Sequence, residues 1–578
     1  MTVESAPSTD SKPWLPYLLI AIAVLFAHGL ALRADFYMDD KAHILTSERI
    51  QDGLDAPTSV FRSRHLTYGL WRGLHLVFGD SSVAFHTVNL LLHLGGALLF
   101  LPVARRFLSL NASLGEAKQE TVAFWGTLLF AVHPLVSEPV NYASQTSMLL
   151  MMFFVTLATY HLLRWHETKR VKYLGFMVLG ILLALHSKEP GIFHALIPLA
   201  LISVLVVPIA KLKEKWKENK RFRLAGLIGG GSLGVVFLGG WAFLVISRFS
   251  DVRGMFHHAL TQSRVLGGYF ARVLLPSDLC SDHHISWTKS WSDGPAFVSL
   301  ALVIASALII LNFVIRHRSW FAVLCGLALF HLYLRFGYSV DELMVEYRMY
   351  PAMPWIGLFL ALGITRLCEL KPSLPPGVRP AAFAALSVFY IVTSAARSHT
   401  WRDEGMLTLD VIEQYPENLR AWSIYLGKLS ERGDYEDLAK LRNLPQDVFQ
   451  KLFPRGFDRD KRQFTGEKTY RNYIACQYPL IKGLVHQGEL DEAMRRADML
   501  LVNVLEKAPS KNAKATFTIL LAKLLVHAAK GEDQKIDETL TTMVSHYDDA
   551  EKIRGYLAEE VRNLPQMIVA SHCEGQGE

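Results

Sequence analysis

Long apolar runs decide what this chain can become. Eleven of them interrupt an otherwise polar sequence, near 13–32, 84–104, 121–132, 146–163, 173–185, 191–207, 224–246, 294–315, 320–334, 351–367 and 381–396. In hydrocarbon a backbone must satisfy its own N–H and C=O groups, so runs of this kind fold as helices and the expected class is all-α. A straight helix needs about 20 residues to cross a bilayer. The third, fifth and ninth runs are shorter, and must borrow flanking polar residues or tilt. Of the 578 residues 51% are hydrophobic and 20% charged. A soluble domain averages roughly 25% charged, so the expectation is a polytopic membrane protein with a polar remainder.

The basic residues supply an independent check on the topology. The net charge of +7 is no nucleic-acid signature, because Lys and Arg fall in short loops between apolar runs. With a cytoplasmic N-terminus, the inside loops hold Arg105-Arg106, then Arg164, Lys169, Arg170 and Lys172, then the run Lys211 to Arg223. Arg316 and Arg318 follow, then Lys371 and Arg379. The turn 133–145 has no Lys or Arg, which is the positive-inside pattern. Segments 33–83, 133–145, 248–293 and 335–350, and the chain after Arg397, are then expected on the non-cytoplasmic face. Glu4 and Asp10 precede the first run and no small-residue cleavage site follows it, so that run is expected to be an uncleaved anchor. Cys280, Cys325, Cys368, Cys476 and Cys573 show no metal spacing, although Cys476 and Cys573 could pair.

Polar residues collect at the non-cytoplasmic face. Phe36-Tyr37-Met38-Asp39-Asp40-Lys41-Ala42-His43-Ile44 begins where the first run stops. Two adjacent carboxylates there can raise one another's pKa toward that of a working base, or can simply cap a surface helix. His86, Asn89 and His93 share one side of the second span, where they line a wet cavity or tie helices together. The next turns carry His133-Pro134-Leu135-Val136-Ser137-Glu138 and Ser187-Lys188-Glu189-Pro190-Gly191; Lys188 and Glu189 could be a self-neutralising pair. From Thr261-Gln262, an amphipathic stretch running to Leu275-Pro276 is expected to lie along the membrane. Asp282-His283-His284 follows, but neighbouring residues splay apart and no further ligand set accompanies them, so no metal is expected. Arg348, within Glu346-Tyr347-Arg348-Met349-Tyr350-Pro351, can clamp phosphate or snorkel to the interface.

Together these motifs resemble the transmembrane-and-tetratricopeptide protein O-mannosyltransferases and their bacterial relatives, polytopic glycosyltransferases of the GT-C type. The resemblance rests on Asp39-Asp40, Phe85-His86-x-x-Asn89-x-x-x-His93, His133-Pro134-x-x-x-Glu138, Lys188-Glu189-x-Gly191 and Thr261-Gln262 with Asp282-His283. It extends through Glu346-x-Arg348-x-Tyr350-Pro351 to Arg397-x-x-x-Trp401-x-Asp403 and Pro416-x-Asn418, spanning roughly residues 30 to 430. It implies an inverting transfer from a polyprenyl-phosphate sugar to a hydroxyl, with Ser/Thr of a protein as acceptor and no tightly bound cofactor. In that scheme Asp39 is the base and Asp40 orients it or the acceptor. Arg348, Lys188 and Arg64 clamp the donor phosphate. His86, Asn89, His133, Glu138, Glu189, Gln262, Asp282, His283 and Glu346 shape the sugar and acceptor pocket. One departure stands out: relatives usually carry an Arg where this chain reads Gln145-Thr146-Ser147, so Thr146 weakens that phosphate site or signals another donor.

Residues 1–396 are therefore expected to form the transmembrane domain and 397–578 a soluble helical one. Gly433-Asp434-Tyr435-Glu436 and Gly488-Glu489-Leu490-Asp491-Glu492-Ala493 resemble the turn of a tetratricopeptide unit, with an irregular stretch from Phe453 to Lys468. This second domain would hold an acceptor protein or serve as a structural cap. Two rival functions remain: an enzyme of the same fold acting on a lipid or surface polysaccharide, and a non-enzymatic membrane scaffold or transporter. The host membrane is expected to be a bacterial inner membrane with the second domain in the periplasm, and the endoplasmic reticulum is the alternative.

Overall fold

The computed structural model describes residues 12–51, 64–207, 217–218, 252–288, 290, 293–337, 342–441, 464–507 and 513–545. All regular structure among the described residues is helical. The chain divides into two compact units, Met1–Asp403 and Glu404–Glu578, a boundary a few residues beyond the one composition predicts.

In the first unit α1 (Leu15–His28) continues as a tighter turn, Gly29–Arg33. It is followed by α2 (Glu48–Gln51), α3 (His65–Phe78), α4 (Ser82–Ser109), α5 (Glu116–Ala131) and α6 (Ser137–Asn141). Next come α7 (Thr146–Thr168), α8 (Lys172–Ser187) and α9 (Gly191–Val206), then α10 (Val252–Leu274) and α11 (Gly294–His317). The unit closes with α12 (Trp320–Tyr333), α13 (Met353–Glu369) and α14 (Val378–Thr400). Ten of the predicted apolar runs fall in these helices; the run near 224–246 lies outside the described residues.

Five helical stretches are long and apolar enough to cross a membrane: Leu15–Arg33, Ser82–Ser109, Ala143–Thr168, Gly294–His317 and Val378–Thr400. Lys172–Ser187, Gly191–Val206 and Trp320–Phe336 are apolar but shorter. The five point to a multi-pass membrane protein. Their exposed residues are apolar too, as at Leu302, Leu308 and Ile315 of α11, where a water-soluble helix would place charge.

The bundle packs around α4, α5, α7 and α13. Where α5 crosses α13, a Cβ built on Gly357 would meet the carbonyl oxygen of Gly126 and lie 3.0 Å from Phe130 Cβ. One built on Gly126 would lie 2.9 Å from Leu358 Cα. The helices therefore touch backbone to backbone, the packing that small residues permit between apolar helices. His93 reinforces this core: its Nε2 is 2.9 Å from the Ala131 carbonyl, and Nδ1 is 2.9 Å from Tyr350 Oη. A carbonyl only accepts, so Nε2 carries the proton and the Tyr350 hydroxyl donates to Nδ1.

Helix α10 is amphipathic, as the sequence predicts. Val265, Leu266, Tyr269 and Val273 are buried in the main core, while Arg264, Gly267 and Ala271 on the other face are exposed. Tyr269 Oη donates to the Val345 carbonyl at 2.7 Å, and Tyr390 Oη donates to that of Val273 at 3.1 Å. Periodicity identifies an apolar face but not what covers it.

The second unit is a run of helices packed on their neighbours: α15 (Glu404–Gln414), α16 (Leu419–Arg432), α17 (Tyr435–Lys440), α18 (Phe464–His486), α19 (Leu490–Lys507), α20 (Ala513–Lys530) and α21 (Asp533–Ser545). Asn418 caps α16, its Oδ1 accepting from the N–H groups of Arg420 and Ala421, each at 3.1 Å. The turns at Gly433-Asp434 and Gly488-Glu489 recur at Gly531-Glu532, which the sequence reading passed over. Of the stretch predicted to be irregular, 453–463 lies outside the described residues and Phe464–Lys468 opens α18. Cys476 is buried in α18 beside the Leu419 carbonyl; Cys573 lies outside the described residues.

Candidate functional site

The two adjacent carboxylates have opposite surroundings. After Arg33 the chain runs extended to Tyr37, then turns at Met38, whose φ of 40° is left-handed and costly for a non-glycine residue. That turn sends Asp40 inward and leaves Asp39 exposed. Asp40 accepts from the Tyr37 N–H at 3.0 Å, from the Ser144 N–H at 2.6 Å and from the Ser144 hydroxyl. Burial nevertheless raises its pKa to about 7; the Ser144 and Tyr37 hydrogen bonds oppose the rise, and the charge of Asp39 adds to it. The raised carboxyl expected from the sequence is thus the inner residue. Asp39 has its own N–H fixed by Tyr142 Oη at 3.1 Å.

Because folding raises the Asp40 pKa from 3.8 to about 7, the folded protein binds more protons than the unfolded chain between those values. Stability from this group therefore falls as pH rises from about 4 to 7, and stays low above that. Asp40→Asn should flatten this fall in a detergent melting series from pH 4.5 to 7.5. An unchanged pH slope would show that Asp40 does not carry it.

Cations reach the same end of the bundle on three other segments. Lys188 sits in the turn between α8 and α9, where its Nζ donates to Gln145 Oε1 at 3.1 Å and lies 5.3 Å from the Tyr347 ring centre. Burial, followed by the charge of Arg64, brings its pKa down to about 7. Arg64, at the start of α3, meets both oxygens of Glu189 at 2.9 Å. Arg348 is buried, with Nη1 donating to the carbonyls of Glu342 at 2.5 Å and Leu343 at 3.3 Å. Arg335 also bears on Lys188 through its charge. His43 links these groups to Asp39. Burial lowers its pKa, Asp39 and Glu189 oppose that, and Arg64 and Lys188 add to it, so all four stand within electrostatic range of one ring. Its Nδ1 is 3.3 Å from Tyr68 Oη.

Acidic side chains hold the 342–350 segment in place. Glu138 Oε2 accepts from the Tyr347 N–H at 2.6 Å. Glu346 Oε1 accepts from the Cys280 N–H at 2.6 Å and lies 3.2 Å from His283 Nε2. Gln262 Nε2 donates to the Leu343 carbonyl at 3.1 Å. Burial and the neighbouring charge of Glu346 push the Glu138 carboxyl well above the usual range, against the pull of Arg397 and Arg348. Asp282 is half-buried, His283 buried and His284 exposed, so this triplet splays. Among the described residues no group of His, Cys, Asp and Glu is arranged to hold a metal ion.

The remaining predicted residues stand behind the site and shape it. Asn89 donates to the carbonyls of Tyr142 at 2.9 Å and Pro139 at 3.3 Å, and its Oδ1 accepts from the Thr146 hydroxyl at 2.6 Å. His133 Nε2 donates to the Val273 carbonyl at 3.1 Å, while Nδ1 accepts from the Leu135 N–H. His86 is fully buried, its ring 6.4 Å from that of Phe36. Thr146 turns toward α4, so its neighbour Gln145 supplies the group that meets Lys188. Tyr142, Ser144, Gln145, His43, Tyr68, Tyr347 and Arg335 received no role from the sequence. For His43, Tyr142, Ser144, Gln145 and Tyr347 the only signal was a position in or beside a motif already singled out, and Tyr68 and Arg335 had none.

Asp39, Lys188, and Arg64 with Glu189 thus stand around His43 from separated segments, and Arg348 adds its charge beside Lys188. Such a group can take a proton at one end and bind an anion at the other. No known protein family, no curated protein and no solved structure matches the chain.

Proposed function

We propose that this chain is an inverting glycosyltransferase, moving a sugar from a polyprenyl-phosphate donor to an acceptor hydroxyl on the non-cytoplasmic face of the membrane. The observation that carries the reading is the exposed Asp39 carboxylate sharing the surroundings of His43 with Lys188 and Arg64, with Arg348 adding its charge beside Lys188. It agrees with the motif resemblance to the transmembrane-and-tetratricopeptide O-mannosyltransferases, which also favours a protein Ser/Thr acceptor, a GT-C arrangement with eleven spans, and a bacterial inner membrane. The second unit then faces the periplasm and holds the acceptor.

In the reaction the acceptor oxygen attacks the anomeric carbon while the bond from that carbon to the phosphate oxygen breaks. Asp39 takes the hydroxyl proton. The departing polyprenyl phosphate carries the displaced electron pair as charge, and Lys188, Arg64 and Arg348 stabilise it. Asp40 holds the Tyr37–Asp40 turn against Ser144, so that Asp39 keeps its outward aim. Gln145 orients the Lys188 ammonium, in the stretch where relatives usually carry an Arg.

The test is transfer in vitro from a panel of short-chain polyprenyl-phosphate hexoses to Ser/Thr-rich peptides, read by mass spectrometry. Sugar appearing on extracted lipid or polysaccharide in place of peptide would favour the lipid-modifying enzyme. No product from any donor would favour the scaffold. Lys188 adds a pH signature. It binds phosphate when protonated, and burial brings its pKa down to about 7. Donor KM should therefore rise as pH passes above 7, and Lys188→Arg, which stays charged, should remove the rise. A wild-type donor KM constant from pH 6 to 9, together with an unchanged KM in Lys188→Gln, would take Lys188 out of phosphate binding.

A further inference from the structure

The last turn of α3 is out of character for a loop helix. Its earlier turns are anchored: Thr67 and Trp71 are fully buried, Thr67 Oγ1 donates to the Ser187 carbonyl at 2.8 Å, and Arg72 Nη1 donates to the Ile50 carbonyl at 2.5 Å. Beyond Arg72 the helix projects. Leu76, Val77 and Phe78 are 68%, 71% and 58% exposed, so three successive large apolar side chains point outward, while Leu74 before them packs inward. The projection is well formed: the Gly79 N–H donates to the His75 carbonyl at 2.8 Å, and His75 pairs with Asp80 at 2.9 Å.

What lies next to this turn identifies its partner. Within four residues of Phe78 the chain enters α4, a membrane-crossing helix whose own exposed positions, Val83 and Leu91, are apolar. The Leu76–Phe78 turn is therefore continuous with a lipid-facing surface, at the end of α4 nearest Asp39. Isolated exposed leucines need no explanation, but three in succession at the edge of a membrane span do.

We infer that the C-terminal turn of α3 is a lipid-seated anchor, with Leu76, Val77 and Phe78 inserted in the leaflet at the Asp39 end of the bundle. Helix α3 is a rod of about 20 Å. Its far end carries Arg64, paired with Glu189, and Thr67, tied to the turn that holds Lys188. The depth of the anchor thereby fixes the height of the cation cluster above the lipid. A bilayer is the occupant because the patch runs directly into the exposed apolar face of a membrane-crossing helix. This inference goes beyond the proposed reaction and holds whichever chemistry the site performs.

The test uses the full chain in lipid nanodiscs, with its reactive cysteines replaced and a single cysteine placed by Val77→Cys, by Phe78→Cys or, as a control, by Glu48→Cys. Each carries an environment-sensitive fluorophore. Spin-labelled lipids with the label high on the acyl chain should quench the probe at 77 and at 78, aqueous iodide should not, and the control at the exposed Glu48 should show the reverse. Either labelled position is sufficient if the other fails to fold. Iodide quenching without lipid quenching at 77 and 78 would overturn the anchor. So would probe protection that disappears on dilution to one chain per disc, which would assign the turn to a second copy. Neither readout requires turnover, so failure of the glycosyltransferase reading leaves this result interpretable.

Discussion

Replacing Asp39 with Asn is expected to cut sugar transfer by a factor of about 100 to 10,000, the usual contribution of a general base. Membrane insertion and melting temperature should stay at wild-type values. The separation follows from the surroundings of the side chain: Asp39 is exposed, and the contact holding it to Tyr142 is made by its backbone N–H, which Asn keeps. Asn also preserves the size of the side chain while losing the ability to take a proton. Asp40 has the opposite profile, its oxygens receiving the Tyr37 and Ser144 donors. Truncating Asp40 would orphan buried donors, so its loss should appear first as instability. Transfer measured in purified, folded Asp39→Asn protein decides the matter. Activity near wild type would remove Asp39 from the mechanism and leave the cation cluster as a binding site alone.

The second large effect is expected at the crossing of α5 and α13, far from any reacting atom. Gly357→Leu should destabilise the first unit by roughly 3 kcal/mol, the upper end for forcing extra carbon into a packed core. There is no flexible neighbour to yield: the first obstacles are the Gly126 carbonyl and Phe130 Cβ. The same change should reduce transfer. Helix α5 leads into the His133–Asn141 turn and α13 follows the Glu346–Tyr350 turn, so the crossing sets the spacing on which the Glu138–Tyr347 hydrogen bond depends. Gly357→Ala should show the same loss in smaller degree. Thermal unfolding in detergent measures it, and an unchanged melting temperature for the Leu variant would show that the helices are not held in backbone contact.

The sequence by itself determined the helical class and most helix positions, because both depend on the local need to satisfy a backbone in apolar surroundings. It also placed Asp39-Asp40, Lys188-Glu189 and Glu346-x-Arg348 at helix ends, which is a matter of counting along the chain. The glycine turns at Gly433 and Gly488 were visible for the same reason.

Only the tertiary structure decided which aspartate looks outward, since that depends on a left-handed Met38 and on a serine 104 residues away. It also decided that Arg64 meets Glu189 across 125 residues, that Gln145 and not Thr146 faces Lys188, and that the apolar face of α10 packs on the main core. An apolar pattern reports that a surface is covered but carries no record of by what. The aim of a polar side chain is settled by whichever distant donor or charge the fold brings within about 3 Å of it.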